Sequence, residues 1–280
     1  CYLIYEALNK LSTKCAYIGT IGFYLENKVC DLPNTSPDIC DLYEMFISAY
    51  ESGYKHIVME VSSQGLSYGR LNKIPFDLAL FTNLTRDHLD YHKTFDNYIK
   101  AKKQFFDNLP ATAFAITNAD DKNGLVMVQN TRAQVKTYSV HSPADFKAKI
   151  VECHFEGMYL EMNGKEVGVQ FIGKFNVSNL LAVYGAAVML GMDEREVLVA
   201  LSAMKPVNGR FEALRSPSGF TAIVDYAHTP DALDNVLTAI HGVLNGKGDV
   251  ITVCGGGGNR DKGKRPLMAR EAVRQSDRVI

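Results

Sequence analysis

The chain has 280 residues, 46% of them hydrophobic and 22% charged, and its 30 basic and 31 acidic side chains leave a formal net charge of -1. That length suits about two domains, and interleaved charges of both signs give no electrostatic footprint for nucleic acid or a membrane surface. The longest apolar runs are about ten residues, roughly half of a membrane span.

Taken in chain order, residues 1–12 read as a helix and "CAYIG" as a strand. "PDICDLYEMFISAYESG" repeats apolar residues at helical spacing and stops at Gly53. "HIVMEV" and "FDLALFTN" are short apolar runs bounded by turn signals, the pattern of buried parallel strands. "TFDNYIKAKKQFFDNL" is a helix ending at Pro110, and "TAFAITN" a further strand. Between 135 and 172 the style changes: "VKTYSV", "AKIVECHF", "GMYLEM" and "KEVGVQFI" predict an antiparallel patch. Helices return at "NVSNLLAVYGAAVMLG" and "DEREVLVALSAM", and Pro206 marks a boundary. Beyond it, "FTAIVDYA", "PDALDNVLTAIHGVL", "DVITVC" and "RPLMAREAVRQS" alternate strand and helix, so the whole reads as two α/β domains, 1–205 and 206–280. The six cysteines are scattered without a C-x-x-C pair and read as reduced, mostly buried thiols of a cytoplasmic protein. The chain opens inside a helix and ends on "SDRVI", the start of a strand, so both ends read as cut from a longer protein.

Several strand ends carry chemistry. Glu60 closes the apolar run in "MEVSSQGL", where open α/β sheets bind ligands; a carboxylate there is paired, bonded or on a metal. Asp87, His88, Asp90 and His92 crowd the next strand-end loop, a set suited to Mg²⁺ beside phosphates and unlike a zinc pattern, though a plain polar loop fits too. By composition alone, Lys100, Lys102 and Lys103 form a solvated basic face. In "VDYAHTPDAL", Thr229, Pro230 and Asp231 suit a helix start, which leaves Asp225 and His228 for a nucleotide. Arg210 lies at the presumed hinge, able either to reach a phosphate or to bridge domains. Gly258 to Lys264 spells G-x-x-x-x-G-K, but Arg265 stands where a P-loop needs Ser or Thr for Mg²⁺. A dinucleotide-binding G-x-G-x-x-G fails because Arg260 occupies its last glycine position.

Together "YIGTIGFY", "NTSPD", "MEVSSQGL", "FTNLTRDHLDYH", "YIKAKKQFF", "FNVSNLL", "VNGRFE", "VDYAHTPDAL" and "GGNRDKGKRPLM" resemble, in order and over nearly the whole chain, the Mur ligases of peptidoglycan synthesis. The likeness is strongest to the ligases that act on UDP-N-acetylmuramoyl-L-alanyl-D-glutamate. It implies an α/β fold: a central P-loop-type ATPase domain with a mainly parallel sheet and a small antiparallel patch, then a truncated Rossmann-like C-terminal domain. It further implies ATP and Mg²⁺, UDP-MurNAc-L-Ala-D-Glu and a diamino acid as substrates, a monomer, and no nucleic-acid or membrane partner.

By the same resemblance Glu60 holds one Mg²⁺ and His88 a second, and Lys102 is carbamylated to become an anionic oxygen ligand. Asn34, Thr35, Ser36, Ser62 and Arg70 match contacts to the UDP-MurNAc-dipeptide. Asn179, Arg210, Asp225 and His228 match nucleotide contacts, and Arg260 matches the site of the incoming diamino acid. Ser36 replaces a usual Thr, Gln64 a common His, Tyr68 a dipeptide-contacting Gln and Asn259 a frequent Asp, so Tyr68 is not carried over as a dipeptide contact. The family's P-loop is expected before Cys1 and its meso-diaminopimelate motif after Ile280, which makes the 280 residues alone inactive. Folylpolyglutamate synthetase, a non-catalytic binding fragment and a dinucleotide-binding oxidoreductase module are the rival readings.

Overall fold

A computed structural model describes residues 1–256 and 263–280. The first half of the chain runs α1 (Tyr2–Lys10), β1 (Cys15–Gly19), β2 (Gly22–Tyr24), β3 (Lys28–Cys30), α2 (Ile39–Glu51), β4 (His56–Met59), α3 (Ser63–Ser67), β5 (Leu78–Phe81), α4 (Leu89–His92), α5 (Phe95–Asp107), β6 (Phe114–Asn118), α6 (Gly124–Val128) and β7 (Gln134–Ser139). It continues through β8 (Phe146–His154), β9 (Gly157–Met162), β10 (Lys165–Val169), α7 (Lys174–Met189), α8 (Glu194–Ser202), β11 (Glu212–Arg215), β12 (Thr221–Val224), α9 (Pro230–Leu244), β13 (Ile251–Thr252), α10 (Lys264–Arg274) and β14 (Arg278–Val279). No helix among the described residues is long and apolar enough to cross a membrane.

The chain forms two compact units. One comprises Cys1–Leu84, Asp96–Lys147 and Asn179–Met204; the other comprises Thr85–Phe95, Ala148–Ser178 and Lys205–Ile280. A unit break thus falls at Met204/Lys205, beside the expected boundary, while two earlier segments group with the C-terminal residues. The reason is packing. Cys153, Phe155 and Phe175 lie against a core of Ile172, Phe211 and Val236.

In the first unit β1 pairs parallel with β4 and antiparallel with β2, which in turn pairs with β3. The β1–β2 turn at Thr20–Ile21 is closed by Gly22 at φ 126°, a conformation that favours glycine. Ala16, Ile18, Phe23, Leu42, Ala49 and Leu71 form the core beneath this sheet. The strands β5, β6 and β7 are parallel, and the first two residues of β8 pair parallel with the end of β7. This corrects one expectation: "VKTYSV" belongs to the parallel set, and only β8, β9 and β10 form the antiparallel patch. The six-residue β7–β8 connection is a side loop after which the chain resumes its direction, so no reversal occurs there.

In the second unit, α9 starts as its sequence dictates. Thr229 Oγ1 accepts from Ala232 N–H at 3.2 Å, Pro230 takes the first turn, and Asn245 ends the helix in the left-handed region. β13 and β14 pair in parallel across α10, a β-α-β unit of the Rossmann type. Leu233, Leu237, Val250, Met268 and Ala272 form its core. The cysteines depart from expectation. All six thiols are free, but only Cys15 is buried, because the others sit at strand ends, in loops or on exposed helix positions.

Candidate active site

The first unit gathers polar groups at the C-terminal ends of β1 and β4. Glu60 follows β4 and both its oxygens are engaged. Tyr17 Oη donates to Oε1 at 2.7 Å, while the backbone N–H and hydroxyl of Thr20 donate to Oε2 at 3.0 and 2.6 Å. Burial works to raise the carboxyl, but the Thr20 and Tyr17 donors outweigh it and hold Glu60 ionised below its usual range. Burial, reinforced by the Glu60 charge, pushes the Tyr17 phenol up, so it remains a donor.

Around this carboxylate lie most of the residues expected to contact the sugar-peptide substrate. Thr35 Oγ1 is 3.1 Å from Thr20 Oγ1. Ser36 is fully buried; its hydroxyl donates to Glu60 O at 3.1 Å and accepts from Ser62 N–H at 2.9 Å. Ser62 Oγ caps α3 by accepting from Gly65 N–H at 3.0 Å. Arg70 donates to Ser36 O at 3.0 Å and pairs with Asp38 at 2.8 Å. Asn34 stands exposed just ahead of them.

Glu60 and Lys102 both line a cavity of about 490 Å³. The three lysines of α5 have separate fates. Lys100 is exposed, Lys103 pairs with Asp107 at 2.5 Å, and Lys102 is half-buried with Nζ 5.4 Å from the Tyr98 ring centre. The same cavity runs along every residue of 55–61 and 75–83. Side chains alternate across a strand, so lining by consecutive residues marks an edge rather than a face. Among the described residues neither strand has a partner there, since β4 pairs only with β1 and β5 only with β6. This is why β4 is half-buried along its whole length, where a buried strand was expected.

The second unit carries its own polar set. His88 adopts the left-handed conformation at φ 55° immediately before α4. The neighbouring Asp87 lies 3.3 Å from His228 Nε2, 3.5 Å from Lys264 Nζ and 3.7 Å from His88 Nε2. Burial would raise the Asp87 carboxyl, but the His228 hydrogen bond and the charges of His88 and Lys264 hold it well below the usual range. The hydrogen bond to Asp87 in turn raises His228. Arg210 stacks 4.9 Å from the Tyr226 ring centre, and Asp225 accepts from Phe211 N–H at 2.7 Å. Asn179 is half-buried on α7 of the first unit. Arg260 lies outside the described residues.

Three contributors carried no assigned role in the sequence, Tyr17, Thr20 and Lys264, and Asp87 was named only within a candidate Mg²⁺ loop. Asp87 was visible in "RDHLDYH" and Lys264 in the near-match to a P-loop. Tyr17 gave no polar signal, being embedded in an apolar strand.

Residues 1–187 match the Mur ligase middle domain, and 209–280 match the Mur ligase, glutamate ligase domain. The chain belongs to the Mur ligase family. A UDP-N-acetylmuramoyl-L-alanyl-D-glutamate–2,6-diaminopimelate ligase of Phocaeicola vulgatus is 60% identical over 278 residues, 99% of this chain and 57% of its own length. A solved structure of a ligase of the same description superposes with a TM-score of 0.77 at 30% identity, covering 99% of this chain and 58% of that one. Folylpolyglutamate synthase of Mycobacterium tuberculosis, with a TM-score of 0.73 and 16% identity, covers 99% of this chain and 70% of that one and shares the fold alone. The chain spans a little over half the length of the curated relatives it matches.

Proposed function

We propose that these 280 residues are the central and C-terminal part of an ATP-dependent Mur ligase that adds a diamino acid to UDP-MurNAc-L-Ala-D-Glu. The observation that carries this reading is the cavity shared by Glu60 and Lys102, with the Thr35, Ser36, Ser62 and Arg70 network fastened to Glu60. The relatives are named for 2,6-diaminopimelate, which favours diaminopimelate, read here as the meso form, over L-lysine as the amino acid.

In this reading the D-glutamate carboxylate attacks the γ-phosphorus of ATP, giving an acyl phosphate and ADP. The amine of the diamino acid attacks the acyl carbon, loses a proton, and phosphate leaves as the amide forms. Two anions must approach each other in the first step, and Mg²⁺ supplies the charge neutralisation. Glu60 fits a divalent cation: it is ionised, at a strand end, and lines the cavity. Among the described residues no three His, Cys, Asp or Glu side chains form a cation site by themselves. His88 is assigned to a second cation, and phosphate oxygens, water and a carbamate on Lys102, formed when Nζ adds to CO₂ and releases a proton, would supply further ligands. Asn34, Thr35, Ser36, Ser62 and Arg70 serve the sugar-peptide, and Asn179, Arg210, Asp225 and His228 the nucleotide. Arg260 meets the carboxylate of the diamino acid. The enzyme works in the cytoplasm as a monomer.

The open edges of β4 and β5 support placing one further strand between them, from the part of the ligase outside these residues. Lys102→Ala in the longer ligase tests the assignment. Ligation should be lost and partly restored by added short-chain carboxylates, whereas full activity in the variant would sink the carbamate.

A further inference from the structure

The Glu60 carboxylate has roughly four acceptor positions, two on each oxygen. The backbone and hydroxyl of Thr20 occupy both positions on Oε2, and Tyr17 takes one on Oε1. One acceptor position remains, on the oxygen that Tyr17 holds.

Tyr17 is built into this place. It is fully buried, and its ring packs edge-on to Tyr2 at 5.4 Å and to Tyr24 at 5.8 Å, and at a tilt to Tyr5 at 6.0 Å. Those neighbours fix the ring, and with it the direction of the hydroxyl. The route to Glu60 is opened by Gly19, two residues along the same strand and so on the same face. A Cβ at Gly19 would overlap the Tyr17 hydroxyl and come within 2.8 Å of Glu60 Cδ. The parallel register, Ile18 beside Met59, brings Glu60 level with that gap.

We propose that Tyr17 is a positioning residue that fixes the Glu60 carboxylate so that Oε1 alone is left to ligate a divalent cation. The inference rests on the metal role given to Glu60 above. A cation then binds Glu60 through one oxygen only, and the Tyr17 hydroxyl sets the angle at which that oxygen is presented. Partners that orient a metal ligand typically change metal affinity by about 10–100-fold when removed.

The test measures Mn²⁺ binding by electron paramagnetic resonance, with the metal alone as probe, on the wild-type chain and on Tyr17→Phe, Gly19→Ala and Glu60→Gln. Tyr17→Phe keeps the ring cluster and removes one hydroxyl, so the melting temperature reports whether the fold survives. The expected result is a loss of Mn²⁺ affinity of about 10-fold or more in Tyr17→Phe, a similar loss in Gly19→Ala, and abolition in Glu60→Gln. Unchanged Mn²⁺ affinity in Tyr17→Phe beside abolition in Glu60→Gln overturns the proposal. If Glu60→Gln binds Mn²⁺ as well as wild type does, the metal role of Glu60 fails instead. A double-mutant stability cycle of Tyr17→Phe with Glu60→Gln then decides: non-additive effects keep Tyr17 as the residue that orients the carboxylate, and additive effects remove it.

Discussion

Asp145 illustrates how single side chains hold the parallel sheet in place. Its carboxylate accepts from Thr137 N–H at 2.8 Å, Thr137 Oγ1 at 2.9 Å and Lys136 Nζ at 3.1 Å, fastening the β7–β8 loop. Burial opposes ionisation, but these donors win and lower its pKa. A lowered folded-state value contributes stability above the unfolded pKa of about 3.9 and loses it as pH falls through the folded one. Asp145→Asn should therefore cost up to about 1 kcal/mol at pH 7, a modest figure because the side chain is 38% exposed and screened. Denaturant melts should show that difference vanishing toward pH 2. At Gly124 an added Cβ would overlap the backbone carbonyl of Asn118. Gly124→Ala should destabilise by about 1–3 kcal/mol or more in the same assay. Candidate positions were legible where a polar group ends an apolar run, as at Glu60. They were illegible where partners are remote: Asp87 meets His228 and Lys264 across 141 and 177 residues of sequence. By composition Lys102 was indistinguishable from Lys100 and Lys103; the resemblance singled it out, and the turn of α5 separates the three.

Among the elements, helices with capping residues were the easiest to read, and α9 begins at Pro230 as "HTPDAL" requires. The β1–β2 hairpin was missed because its turn, Thr20–Ile21, lacks the usual turn residues and leaves the signal to Gly22. The strands β4 and β5 were read correctly as parallel but not as open-edged, since an apolar run looks the same whether or not its next neighbour is present. Their hydrogen-bond parity makes this testable. His56 N–H and Glu60 N–H bond to β1, so Ile57 and Met59 face the other way; Phe114 N–H bonds to Asp77 O, so Leu78 and Leu80 face away from β6. In hydrogen-exchange measurements the amides of Ile57, Met59, Leu78 and Leu80 should exchange faster than those of Val58 and Ala79. Equal protection would contradict an open slot.

For the whole molecule, the order of motifs carried the family and the α/β class, and the two domain matches at 1–187 and 209–280 agree with it. The partition in space was less legible, because short segments such as Thr85–Phe95 join the C-terminal residues through packing that spacing does not encode. The function proposed above is that of an amide ligase whose metal centre is built on Glu60 and Lys102. The measurement that tests it most directly is product formation by the longer ligase with Mg-ATP, UDP-MurNAc-L-Ala-D-Glu and either meso-diaminopimelate or L-lysine. The expected products are UDP-MurNAc-tripeptide, ADP and phosphate in equal amounts, with meso-diaminopimelate preferred and with loss of all three products in Glu60→Gln. Full turnover in Glu60→Gln, or glutamate addition to a folate in place of tripeptide formation, would contradict it.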